Sequence, residues 1–151
     1  MQLRQCRDIL GKMVMMKTYS ELIKLPTFLD RFKYLELHGK VANETFGWNR
    51  WLNQDFYRSK EWKSVRNKVI LRDKACDLGM EGFDIPVHPI VHHINPITEK
   101  DLINTADILF NPENLITVSE HTHNAIHYGD ESLLDSYFVV NRAPNDTCPW
   151  K

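Results

Sequence analysis

Six of the seven histidines in this chain of 151 residues fall between positions 88 and 127. His123 and His127 are four residues apart, so on a helix they share one face. Ser119 is placed to cap such a helix and Gly129 to end it, giving about two and a half turns. A His-x-x-x-His pair on one face is a metal-ligand spacing, because neutral imidazole is the commonest biological metal ligand. A third ligand would come from His92 or His93. Neighbours on a strand point to opposite faces, so only one of the two can serve. The other is left for proton chemistry. That combination suits hydrolysis: a metal holds an oxyanion while an imidazole takes a proton from water.

The elements that must position these groups can be read around them. Val87 to Ile94 predicts a first strand and Leu115 to Val118 a second. Between them lies an insertion, residues 97–113, with a helical turn at Thr98–Ile103 and a tight turn at Asn111–Asn114. On such a strand His88 would share a face with His92 but stand about 13 Å away, at the surface. His121 falls off the ligand face of its helix and is expected to be exposed. Residues 75–86 are turn material punctuated by glycine, with Cys76 packing as a small apolar side chain. Ser59 starts a helix reaching about Asp73, with Trp62, Val65 and Val69 on its buried face. Further forward, Thr18 to Glu21 reads as a capping box for a short helix that stops before Pro26. Thr27 caps a second helix with a Phe28, Phe32, Leu35 stripe, closed at Gly39. Phe46, Trp48, Trp51, Phe56 and Tyr57 read as packing between helices rather than a platform for exposed bases, since they alternate with Asn, Gln and Asp. After Gly129, Ser132 to Val140 predicts a docking helix, and the tail from Ala143 is irregular.

The order His92-His93, Pro96, Asn114-Leu115, His123 and His127 resembles the HNH nucleases, whose core is a β-hairpin and a helix around one metal ion (the ββα-metal motif). The resemblance covers residues 66 to 128, and its three-histidine form is similar to colicin-type DNases. It implies His92, His123 and His127 as metal ligands, His93 as general base, and Asn114 as the residue pinning the hairpin loop. The 21 residues from His93 to Asn114 make a long gap, whereas the nine from Asn114 to His123 fit a strand feeding a helix. Many HNH domains also carry two Cys-x-x-Cys pairs that bind a structural zinc. Here the cysteines are Cys6, Cys76 and Cys148, with no such pair, so the core is expected to be held by packing. Imidazole ligands suit zinc, nickel, cobalt or manganese better than magnesium. One divalent ion is expected, and several ions are compatible.

Bulk properties set the frame. At 42% hydrophobic and 26% charged residues the chain reads as globular, with length for one domain. No apolar run reaches the roughly 20 residues of a membrane span, and the Met13–Met16 stretch is too short for a signal peptide. An odd number of widely spaced cysteines points to reduced thiols in a cytoplasmic setting. The net charge of −1 hides a division: residues 75–151 hold 3 Lys/Arg against 12 Asp/Glu, and residues 1–74 hold 16 against 8. Arg58, Lys60, Lys63, Arg66, Lys68, Arg72 and Lys74 make the stretch before the hairpin the candidate for duplex backbone contact. Arg66 and Arg72 are the expected phosphate clamps, since a guanidinium matches phosphate bidentately, with Lys63 beside them.

The expected class is therefore α+β: a ββα-metal core with a long hairpin insertion, packed against N-terminal helices and a C-terminal helix. A basic arm, 1–17, precedes a single domain, 18–151, made of a helical part (18–74), the core (75–128) and a C-terminal helix and tail (129–151). The expected function is metal-dependent endonucleolytic cleavage of duplex DNA. The resemblance further implies a phage or prophage protein working beside terminase or packaging proteins in a bacterial cytoplasm. The alternative is a non-catalytic, metal-stabilised DNA-binding or assembly module of the same fold.

Overall fold

Two four-residue strands, each offering one side chain up and the next down, divide the molecule into layers. The computed structural model describes residues 6–7, 13–14, 16–37, 50–79, 85 and 88–136. In chain order these form β1 (Cys6–Arg7), β2 (Met13–Val14), α1 (Tyr19–Leu22), α2 (Phe28–Leu35), α3 (Arg50–Arg58), α4 (Lys60–Arg72), β3 (Ile90–His93), α5 (Glu99–Ile103), 3-10 turns at Asp107–Leu109 and Pro112–Asn114, β4 (Leu115–Val118), α6 (Glu120–Tyr128) and a 3-10 turn at Glu131–Ser136. The class is α+β, with the helices around a small antiparallel sheet. Among the described residues no helix is long and apolar enough to cross a membrane.

Strands β3 and β4 pair antiparallel, with His92 opposite Ile116 and His93 opposite Leu115. Alternation then sorts their side chains. Ile116 and Val118, with Ile94 just past β3, pack into a cluster with Leu22, Phe32 and Leu35 of the first two helices and Ala125 and Ile126 of α6. Val91 and Leu115 enter a second cluster with Trp62 and Val69 of α4, flanked by Phe56 and Phe110.

A two-stranded ladder is marginal in water on its own and leaves unpaired backbone along its edges. The outer edge of β4 is closed by the stretch that follows α4. Arg72 Nη2 donates to the Leu115 carbonyl at 2.7 Å, and the Thr117 amide donates to Asp73 Oδ2 at 2.8 Å. The Leu78 amide donates to the Thr117 carbonyl at 3.1 Å, and the Ser119 amide to Asp77 Oδ2 at 2.9 Å. Residues 72–78 thus stand in for a third strand, partly with side chains.

Local chemistry fixes most helix ends. Thr27, Ser59, Thr98 and Ser119 each accept the amide three residues on. Thr98 and Asp101 make a full reciprocal capping box. At α1 the box is only half made: Thr18 Oγ1 accepts the Glu21 amide, but the Glu21 carboxylate accepts the Tyr34 hydroxyl at 2.6 Å. Gly129 ends α6 at φ 67°, a left-handed conformation that suits glycine.

Several boundaries differ from expectation. The first strand runs Ile90–His93 rather than Val87–Ile94. His88 sits at φ 56°, which breaks the extended alternation there, and Val87 lies outside the described residues. The segment after Gly129 forms a 3-10 turn instead of an α-helix, and the remainder of the expected Ser132–Val140 helix lies outside the described residues, as do Gly39, Phe46 and Trp48. Leu133 and Leu134 nonetheless pack against the first cluster. The N-terminal arm, 1–17, contains the short β1–β2 ladder. It ends in a tether in which the Lys17 amide donates to Asn95 Oδ1 at 2.9 Å and Asn95 Nδ2 to the Lys17 carbonyl at 2.7 Å.

Candidate metal centre

His92, in the middle of β3, points toward α6. There His123 and His127, one turn apart, present their rings to it. The structure brings these three together: each offers one nitrogen, and the three nitrogens lie within 4.8 Å of one another. The His92 ring stands nearly perpendicular to both partners, at 85° to His123 and 89° to His127. Nε2 of His123 and Nε2 of His127 are 3.1 Å apart. Nitrogens about 2.05 Å from a shared tetrahedral ion would stand about 3.3 Å apart, so the pair has a ligand-like spacing.

The donor set passes two further tests. His92 is 4% exposed and its buried Nε2 has no hydrogen-bond partner among the described residues, a costly state for a polar atom unless something else takes its lone pair. All three rings are also held neutral, the form that ligates. Burial, then the neighbouring imidazoles, pushes His92 well below the usual histidine range. Burial and His123 bring His127 down to about 4. Burial lowers His123 too, against the opposing pull of Asn124 and Glu120. The described residues therefore fit one divalent ion held by three imidazoles.

His93 faces the other layer. Its ring stacks on Trp62 at 5.3 Å and 19°, with Phe56 at 6.2 Å. Its Nε2 lies 3.1 Å from the Leu109 carbonyl. A carbonyl only accepts, so Nε2 carries the proton and the lone pair of the neutral ring is on Nδ1. Burial brings His93 down to about 4, the Leu109 bond opposing it, so the ring is neutral at pH 7. It is only 7% exposed. The insertion thus reaches the site through backbone, at Leu109, a contact that no side-chain motif could announce.

Asn114 joins the two ends of the insertion. Its Oδ1 accepts the Asn95 amide at 2.9 Å and Asn95 Nδ2 at 2.6 Å, while its own Nδ2 donates to the Ile108 carbonyl at 3.2 Å. The Ile94 amide donates to the Asn114 carbonyl at 2.8 Å, extending the ladder past the strand ends.

The expected phosphate clamps are placed differently. Arg72 turns inward: Nε and Nη2 pair with Asp73 at 2.7 and 3.1 Å, Nη1 donates to the Pro112 carbonyl at 2.8 Å, and Nη2 also reaches Leu115. Its guanidinium lies 3.5 Å from the Tyr19 ring centre. Every nitrogen is engaged within the protein, so Arg72 acts as a structural clamp here. Arg66 is half-buried, with Nη2 on the Pro89 carbonyl at 2.7 Å, tying α4 to the approach of β3. Lys63 is exposed on α4. We expect Arg72→Ala to cost about 2–4 kcal/mol, through the acceptors left short around Asp73 and β4. Urea denaturation would read this, and unchanged stability with weaker DNA binding would favour the phosphate role instead.

Asp73 and Asp77 escaped sequence reasoning. Both are buried, and by charge-assisted bonds Asp73 holds β4 at Thr117 while Asp77 holds the start of α6 at Ser119 and Thr122. The core is therefore held by more than packing. In sequence Asp73 looks like a helix end and Asp77 like a turn residue, and only the unpaired β4 edge and the start of α6 call for acceptors at those positions. Cys76 is half-buried, and His121 is exposed. The chain matches no family model, no curated protein and no solved structure.

Proposed function

We propose that this protein is a metal-dependent DNA endonuclease of the HNH kind, hydrolysing phosphodiester bonds. One observation carries the reading. On adjacent residues of one strand, His92 joins a three-imidazole cluster while His93, on the opposite face, is fixed as a neutral ring with its lone pair on Nδ1. Ligand and base are thus separate groups held in register by a single strand.

In this reading His92, His123 and His127 would hold one divalent ion, and that ion would supply positive charge to offset the negative charge developing on the phosphate. His93 accepts a proton at Nδ1 from the water that attacks phosphorus, as the bond from phosphorus to the 3′ oxygen breaks. The Leu109 carbonyl keeps the Nε2 proton in place, and Trp62 keeps the ring from turning. Asn114 holds the loop that follows His93. Exposed Lys60, Lys63 and Lys68 on α4 provide charge for the phosphate backbone without reading bases. A phage or prophage origin and a place beside terminase in genome packaging or nicking belong to the same proposal, through the resemblance.

A second reading has a specific observation behind it. The 7% exposure of His93 inside an aromatic cage suits a packed residue in a non-catalytic, metal-stabilised DNA-binding or assembly module. Plasmid nicking by protein stripped with chelator and then supplied with Mg²⁺, Mn²⁺, Ni²⁺ or Zn²⁺ decides between them. The nuclease reading expects supercoiled DNA to become nicked only when an ion is returned. Binding of metal and DNA with no cleavage under any ion would transfer the conclusion to the module.

A further inference from the structure

The three imidazoles come from two elements, so their mutual distance depends on the corner where β4 turns into α6. His92 is carried by β3, which is locked in register to β4. His123 and His127 are carried by α6, which begins immediately after β4. Whatever fixes that corner fixes the donor set.

Asp77 sits at the corner and is 2% exposed. Its Oδ2 accepts the Ser119 amide at 2.9 Å and the Thr122 hydroxyl at 2.6 Å. Its Oδ1 accepts the Gly79 amide at 2.9 Å. Ser119 Oγ in turn accepts the Thr122 amide and donates to Thr122 Oγ1, both at 3.2 Å. The carboxylate therefore binds the last residue before the helix and the third residue inside it. Thr122 is the immediate neighbour of the ligand His123. Among the described residues no lysine or arginine pairs with Asp77; its charge is met by backbone amides, one hydroxyl and the positive end of α6. The fit is close: a Cβ added at Gly79 would stand 2.5 Å from Thr122 Cγ2.

We propose that Asp77 is a positioning residue for the metal centre, setting through Ser119 and Thr122 the angle at which α6 offers His123 and His127 to His92. The proposal rests on the metal-centre reading. It makes a chemical demand that a simple helix cap does not. An asparagine has one acceptor oxygen and one amide nitrogen. Turned one way it sets its NH₂ against the Gly79 amide; turned the other way, against the Ser119 amide. Either orientation opposes donor to donor, and the corner must shift. Ligand placement tolerates only about 0.5 Å of such movement.

The test is titration of the apo protein with Co²⁺, read by its visible ligand-field absorption, and with Zn²⁺ by competition. It is run on wild type, Asp77→Asn, Thr122→Val and Thr122→Ser, with folding monitored by circular dichroism. We expect Asp77→Asn to weaken Zn²⁺ binding by about 10–100-fold and to alter the Co²⁺ spectrum at saturation. Thr122→Val should move both readouts in the same direction by less, and Thr122→Ser, which keeps the hydroxyl, should restore them. Should Asp77→Asn fail to fold, the valine and serine pair carries the decision. Folded variants that melt earlier yet bind with wild-type affinity and spectrum would overturn the proposal and leave the metal centre standing. Wild type that binds neither ion would overturn the metal-centre reading, and this proposal with it.

Discussion

Added Zn²⁺ is expected to raise the melting temperature of the wild-type protein, and His92→Ala to remove that increase entirely. An ion at about 100 times its dissociation constant stabilises a folded protein by about 2.7 kcal/mol. For a chain of this size that corresponds to a shift of roughly 5–10 °C. His92 is the decisive position because it links β3 to α6 through the cluster, and because its buried Nε2 has no hydrogen-bond partner among the described residues. Without metal, the alanine variant loses packing volume but also loses a buried polar atom that nothing satisfies, and these changes oppose each other. The metal-dependent increment is therefore a cleaner readout than the melting temperature itself. Differential scanning calorimetry with and without ion would measure it. A wild-type protein whose melting is indifferent to Zn²⁺, Ni²⁺, Co²⁺ and Mn²⁺ would reduce the three histidines to a packed cluster.

His93→Ala is expected to lower the cleavage rate by about 10²–10⁴-fold with the dissociation constant for metal unchanged. The separation of the two effects follows from the strand: His93 stacks on Trp62, whereas His92 meets His123 and His127 on the other face. Truncating a ring buried against aromatics also costs stability, about 2–3 kcal/mol, so rates are compared at a temperature where both proteins are folded. Cleavage at the wild-type rate would remove His93 from the chemistry. Loss of metal together with loss of cleavage would show that the two faces of β3 are not separable and would return His93 to a structural role.

Much of the site could be read from local chemistry. Helix α6 was legible because both its ends carry their own signals, the Ser119 side chain accepting the Thr122 amide and Gly129 adopting a left-handed conformation. The spacing of His123 and His127 then needed only helical geometry. Strand β4 was legible as a short apolar run between a turn and a cap. Other features depend on partners distant in sequence. Arg72 reads in sequence as a phosphate clamp on a basic helix, yet besides its neighbour Asp73 its acceptors are Pro112 and Leu115, some forty positions away. Asp73 reads as a helix end and Asp77 as turn material for the same reason, since their donors lie on β4, just before α6 and inside it. The first strand was drawn too long because alternating side chains say nothing of backbone handedness, and His88 turns left-handed just before the ladder begins. The Trp62 stack on His93 was likewise hidden: Trp62 read correctly as a buried face of α4, but the identity of what it buries against is set by the register of a strand almost thirty residues later.

The division of β3 between two layers has an evolutionary consequence. On the proposed function, residues that would tune the metal, on α6 and at its corner, and residues that would tune His93, on α4 and in the insertion, are separated by the thickness of one strand. Substitutions in the two groups should combine nearly additively, as distant sites usually do. A lineage could then exchange one ion for another by altering the α6 layer without re-optimising the proton acceptor, or recruit a different substrate through α4 without disturbing the ligands. The backbone of His92 and His93 is the one place where both kinds of change meet, and there variation should be least tolerated.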